Sequence, residues 1–184
     1  MEKRFTDALA KVYEYAKNLG LTIVDTNDLD RYFKGDLNGL NIWISSGLED
    51  EEELFNVLHL IGHSIQWNVD ADLRAMGSVL HEKPDDELLK KLQVYEWEAN
   101  CYGLTILHQV GVHELDKWLT DKYVEDMHYL TNYYKTGEKV KVITDLSLEY
   151  EFTWPLKDIV IPEFTPYPNV ETRSRRGIVI DFDA

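Results

Sequence analysis

The chain has 184 residues, 44% of them hydrophobic, which is enough for a single domain with a real core. Lys and Arg total 19 against 34 Asp and Glu, and the resulting formal charge of -15 repels nucleic acid and anionic lipid. One cysteine, Cys101, excludes an internal disulfide, and with no signal-like N-terminus and no run of membrane-spanning length the expected location is cytoplasmic, away from any membrane.

Phe5, Ala8, Leu9, Val12, Ala16 and Leu19 recur at helical spacing, and Gly20 ends that helix. Leu21–Val24, Tyr32–Phe33 and Leu40–Ile44 read as strands of a small antiparallel sheet, with Asn38-Gly39 as a tight turn before the last. Ser46 and Glu49 have the spacing of a capping box, and the acids from Glu49 to Glu53 suit the positive end of the apolar helix that follows. Residues 70–82 are expected to form an irregular crossing. A long helix is predicted from Pro84 to Val110, closed by Gly111. A further helix is predicted over Val112–Tyr134, where Leu115, Trp118, Leu119, Tyr123, Met127, Leu130 and Tyr134 make an apolar stripe of core type.

Beyond Gly137 the chain reads as β-like at Val140–Ile143 and Gly177–Phe182, with Pro155, Pro162, Pro166 and Pro168 interrupting any long element between them. The expected organisation is one α+β domain over 1–184, a core of 1–136 and a β-rich extension of 137–184 packed on it. That extension is expected to complete the sheet, cover a cleft or pair with a partner strand. The basic run Arg173-Ser174-Arg175-Arg176 reads as a solvated loop or a docking spot for an acidic partner.

Chemistry concentrates at His59-Leu60-Ile61-Gly62-His63. Histidines four apart on a helix lie on one face, so both imidazoles reach a single ion. Within so apolar a helix they need partners for their ring nitrogens, which either a metal or core hydrogen bonds supply. About three dozen residues later comes Glu96-Trp97-Glu98-Ala99-Asn100-Cys101-Tyr102-Gly103.

Together the two segments resemble the ImmA/IrrE family of zinc-dependent metallopeptidases. That family pairs a helix reading H-E-x-G-H with a later helix reading E-x-E-A-N/D that donates a glutamate ligand. The similarity covers about residues 20 to 110, including Asn38-Gly39 and the strand Leu40–Ile44 leading into the metal helix. It implies a zincin-like, minimal gluzincin fold and a zinc ion held by His59, His63 and Glu96. Asn100, one turn after Glu96, is the expected outer partner, its amide oxygen accepting a ligating histidine's second N–H. Glu98 is the alternative ligand, although the helix turns it away from that face. Cys101 reads as a packed thiol, with a fourth ligand as its other reading.

The departure from the family is Leu60, which stands where the family has the glutamate that deprotonates water. Losing a general base removes a factor of about 10² to 10⁴ in rate, so ordinary peptide hydrolysis is expected to be defective. The pairs His81-Glu82 and His113-Glu114 look like motif fragments without a second histidine in register. Three readings stay open: a pseudo-enzyme that retains zinc and acts by binding a peptide or protein, an active peptidase with an unorthodox base, and a metal-free interaction domain. Oligomeric state is not legible.

Overall fold

The computed structural model of the protein describes residues 3–29, 33–79, 81, 83–137, 154–167 and 179–180. Among these the architecture is α+β, five helices with a four-stranded sheet. Helix α1 (Lys3–Asn18) buries Phe5, Ala8, Val12 and Ala16, the stripe its spacing predicts. Strands β1 (Thr22–Thr26), β2 (Phe33–Leu37) and β3 (Asn41–Ser45) follow.

The sheet is mixed, not antiparallel as expected. β2 and β3 form a hairpin, turned at Asn38, whose Oδ1 accepts from the amides of Leu40 and Asn41 at 3.1 and 2.7 Å. The other edge of β3 takes β1 in parallel, Thr22 lying opposite Asn41. Alternating hydrophobicity fixes which face of a strand is buried; it carries no information about the direction of the neighbour. β4 (Val179–Ile180) adds antiparallel to the outer edge of β2, so the tail does complete the sheet there. Tyr32, Val140–Ile143, Pro168, Arg173–Arg176 and the rest of Gly177–Phe182 lie outside the described residues.

Helix α2 (Asp50–Val69) is the central element. It is buried on all sides from Leu54 to Trp67 apart from Phe55, as a helix sheathed by other elements must be. Leu37, Ile42 and Ile44 of the sheet join Leu58, Leu60, Ile61 and Ile65 of α2 in one core. Each such fully buried aliphatic side chain contributes about 1.5–3 kcal/mol. The capping box is not formed: Glu49 is the N-cap and its side chain makes no capping bond. The first-turn acids instead complement the helix dipole and tether neighbours, Tyr13 donating to Glu53 at 2.5 Å and Trp118 Nε1 to Glu51 at 2.8 Å.

Residues 71–77 form a short helix, α3 (Ala71–Gly77), rather than an irregular crossing, because the Asp70 carboxylate caps the amides of Asp72 and Leu73. Helix α4 (Asp86–Gln109) is capped by Asp85. Helix α5 (Asp116–Thr136) begins four residues later than predicted and ends at Gly137. Its delayed start follows from a turn after Gly111, where the Glu114 side chain accepts from the His113 amide.

α2 and α4 run antiparallel, with Gly103 over Leu58, Ala99 over Gly62 and Tyr95 over Trp67. A Cβ at Gly62 would stand 2.2 Å from the Ala99 carbonyl oxygen, so only glycine permits this approach of the two backbones. Residues 154–167 form an extended strap, without strands, along α4. Trp97 Nε1 donates to the Pro155 carbonyl at 3.2 Å, Thr105 Oγ1 accepts from the Ile159 amide at 3.0 Å, and Leu156, Ile159, Ile161 and Phe164 pack on the core.

Candidate metal centre

The Gly62–Ala99 contact lays the middle of α4 against the face of α2 that carries His59 and His63, and Glu96 is one turn from that contact. The three side chains converge. His63 Nε2 lies 3.1 Å from His59 Nε2 and 3.1 Å from Glu96 Oε2, and His59 Nε2 lies 3.4 Å from the same carboxylate oxygen. A tetrahedral ion bound at about 2.0–2.1 Å separates its donors by about 3.3 Å, so the triangle already has the edges of a zinc coordination tetrahedron.

Partners on the far side of each ring fix which nitrogen is offered. Gln66 Nε2 donates to the Tyr95 carbonyl at 2.9 Å and to Glu98 Oε2 at 2.8 Å, both obligate acceptors. Its oxygen therefore faces His63 Nδ1, 2.8 Å away, and must accept. In the neutral ring this leaves the His63 Nε2 lone pair bare and aimed at the centre of the triangle. Stacking supports both rings: Tyr95 lies on His63 at 4.4 Å between centroids and Phe55 on His59 at 6.0 Å. The Tyr95 hydroxyl is pinned by Trp67 Nε1 at 2.7 Å.

Asn100 is where expected, but with its amide reversed. Its nitrogen, not its oxygen, faces His59 Nδ1 at 3.2 Å, because that nitrogen also donates to the Glu96 carbonyl at 2.9 Å. Asn100 Oδ1 is left buried without a partner. A half-turn of this amide sets that oxygen against His59 Nδ1, which is the arrangement that a metal-bound His59 requires.

Electrostatics agree with a cation site. Burial and the neighbouring His63 pull the His59 imidazole down to about 4, so it is a neutral donor at physiological pH. Burial pushes the Glu96 carboxyl up, but the two imidazoles outweigh it and the net shift is downward. The centre therefore presents two imidazoles and an ionised carboxylate, all buried, and a buried carboxylate calls for a cation. The donor set fits a borderline-soft divalent ion such as zinc.

Glu98 does not join the triangle. It also does not face away as the helical wheel implied; it supports Gln66 across the α2–α4 interface. Cys101 is fully buried and burial raises its thiol, which keeps it an inert packed group. Leu60 is fully buried, with its Cδ1 where a Cβ on Gly35 would be, at 2.5 Å. The glycine in β2 thus makes room for the isobutyl group that stands in the motif's base position. His81 Nε2 meets the Met76 carbonyl at 3.0 Å, Glu82 lies outside the described residues, and Glu114 sits beyond the far end of α4.

Two features were not anticipated from sequence. Gln66 follows His63 by one turn, a spacing that signals a shared face. Asp126 on α5 is buried, and burial together with the Glu96 charge holds its carboxyl well above the usual range. No protein-family model, curated protein or solved structure matches the chain. Among the described residues no helix is long and apolar enough to cross a membrane.

Proposed function

We propose that the protein is a zincin-like domain akin to the ImmA/IrrE metallopeptidases, binding zinc through His59 Nε2, His63 Nε2 and Glu96 Oε2. In this reading it is defective in ordinary peptide hydrolysis and acts by binding a peptide or protein partner. The observation that supports the metal is the meeting of three donor atoms at tetrahedral spacing, with the opposite nitrogen of His63 already committed to Gln66. Lewis acidity is the chemistry that a bound ion supplies at such a centre.

Leu60 supports the loss of turnover. A side chain with no proton acceptor, sealed against Gly35, cannot activate water. His63 is wholly buried, so solvent reaches the donors only past His59 and Glu96, which are 5% and 6% exposed. Asp126 enters a second reading, an active hydrolase with an unorthodox base: its carboxyl is buried within range of the Glu96 charge and would have to release its own proton before taking one from water.

Metal analysis of purified wild type beside a His59→Ala, His63→Ala double variant tests the first reading. Wild type is expected to hold one more equivalent of zinc than the double variant, and equal contents remove the proposal. Chelator-sensitive cleavage of casein by wild type, lost in Asp126→Asn, would replace the first reading by the second.

A further inference from the structure

A second convergence of nitrogen and oxygen donors lies at the opposite end of α4. His108 is in the last turn of α4, His113 in the turn that follows, and Asp116 is the first residue of α5. One donor atom from each falls within 4.8 Å of the other two. His108 Nε2 and Asp116 Oδ1 are 3.0 Å apart, and the two imidazole centroids are 4.4 Å apart with planes inclined by 34°. Asp158 of the strap completes the arrangement, with His108 Nδ1 donating to its Oδ1 at 2.8 Å.

We propose that His108, His113 and Asp116 form a second divalent transition-metal site, with Asp158 as the carboxylate that orients His108. An imidazole whose Nδ1–H is held by a carboxylate offers Nε2 as its lone pair and is a stronger donor for that contact. Two imidazoles and a carboxylate select zinc, nickel, cobalt or copper over calcium and magnesium, which demand oxygen shells. Unlike the buried triangle, this site opens to solvent: His113 is exposed, and the Asp116 and Asp158 side chains are 47% and 61% exposed. An ion therefore enters without unfolding and keeps water on its open side. The exposed His113 ring has the freedom to close on an ion that His108 and Asp116 already frame. The acidic character of the whole chain adds a field that concentrates cations at the surface.

The site joins three pieces of chain, the end of α4, the turn to α5 and the strap, at the point where Asp158 follows the strap's contacts with Trp97. Its role is that of a clip which fixes the strap when metal is present. The competing account is a protonated His108 bridging Asp116 and Asp158, which explains two of the contacts and gives His113 no part.

Zinc titration of chelator-treated full-length protein, with stoichiometry from native mass spectrometry and affinity from competition with a chromogenic chelator, separates the two. Wild type is expected to bind two ions, His113→Ala one, the His59→Ala, His63→Ala variant one, and the triple variant none. His113→Ala should weaken the second equivalent by about a hundredfold while leaving the metal-free melting temperature unchanged, since the ring is exposed. A second equivalent that His113→Ala weakens less than about threefold overturns the proposal and leaves the protonated bridge. A single ion that only the His59→Ala, His63→Ala variant abolishes overturns it too, with the central site intact. A single ion lost only in His113→Ala upholds this site and removes the central one.

Discussion

Replacing Gln66 by leucine isolates the group that sets the His63 tautomer without touching a donor atom. Three hydrogen bonds disappear, to His63 Nδ1, the Tyr95 carbonyl and Glu98 Oε2. The Tyr95 carbonyl keeps its helical amide partner, and Glu98 is only partly buried and turns to water. What remains is an imidazole N–H with no exposure and no acceptor, which costs about 1–3 kcal/mol of stability in the metal-free protein. Zinc affinity should fall about 10- to 100-fold, since an unheld ring presents Nε2 in the right tautomer and orientation only part of the time. Competition with a chromogenic chelator, read on the variant and wild type after both are shown folded by near-ultraviolet circular dichroism, measures the loss. A folded Gln66→Leu protein binding zinc within about threefold of wild type would refute the assignment of His63 Nε2 as a ligand fixed from behind.

Other perturbations test the surroundings. Leu60→Glu puts a carboxyl where an isobutyl group is wholly buried against Gly35, so chemical denaturation should show a loss of about 3 kcal/mol or more and no gain of casein cleavage. A stable, chelator-sensitive protease would instead mean that position 60 reaches the reacting water. Gly62→Ala drives a methyl to within 2.2 Å of the Ala99 carbonyl oxygen; the helices must part, costing about 1–3 kcal/mol and weakening zinc binding, and wild-type stability in this variant would contradict the close approach. For Asp126, a folded-state pKa raised above the unfolded value means that the native protein keeps a proton which the unfolded chain has released, so stability falls as pH climbs above about 4. Asp126→Asn escapes this penalty: in chelator-treated protein it should melt higher than wild type at pH 7.5, with the advantage fading toward pH 4. An Asn variant less stable at both pH values would show that the ionised carboxylate is needed.

The sequence carried His59 and His63 on one face through helical spacing, and Glu96 only through the resemblance of its segment to a family motif. It did not carry what depends on two helices at once. Glu98 points away from Asn100 on its own helix, yet Gln66 on α2 comes to meet it. The amide of Asn100 was assigned from the need of a bound histidine, whereas the Glu96 carbonyl one turn back decides its orientation in the fold. Strand partners were similarly out of reach: Leu40, Ile42 and Ile44 announce a buried face, but nothing local says that β1 lies alongside in the same direction. Asp70 was a readable exception, a capping residue placed one position before a short helix that residue pattern alone had not separated from a loop.

The separation between the two helices that carry the donors is set by main chain against main chain at Gly62 and Ala99, not by interlocking side chains. Tolerance follows. Substitutions in the surrounding core can accumulate without moving the nitrogen and oxygen atoms relative to one another. Side chains around the centre are therefore free to diverge while the positions of its three donors persist.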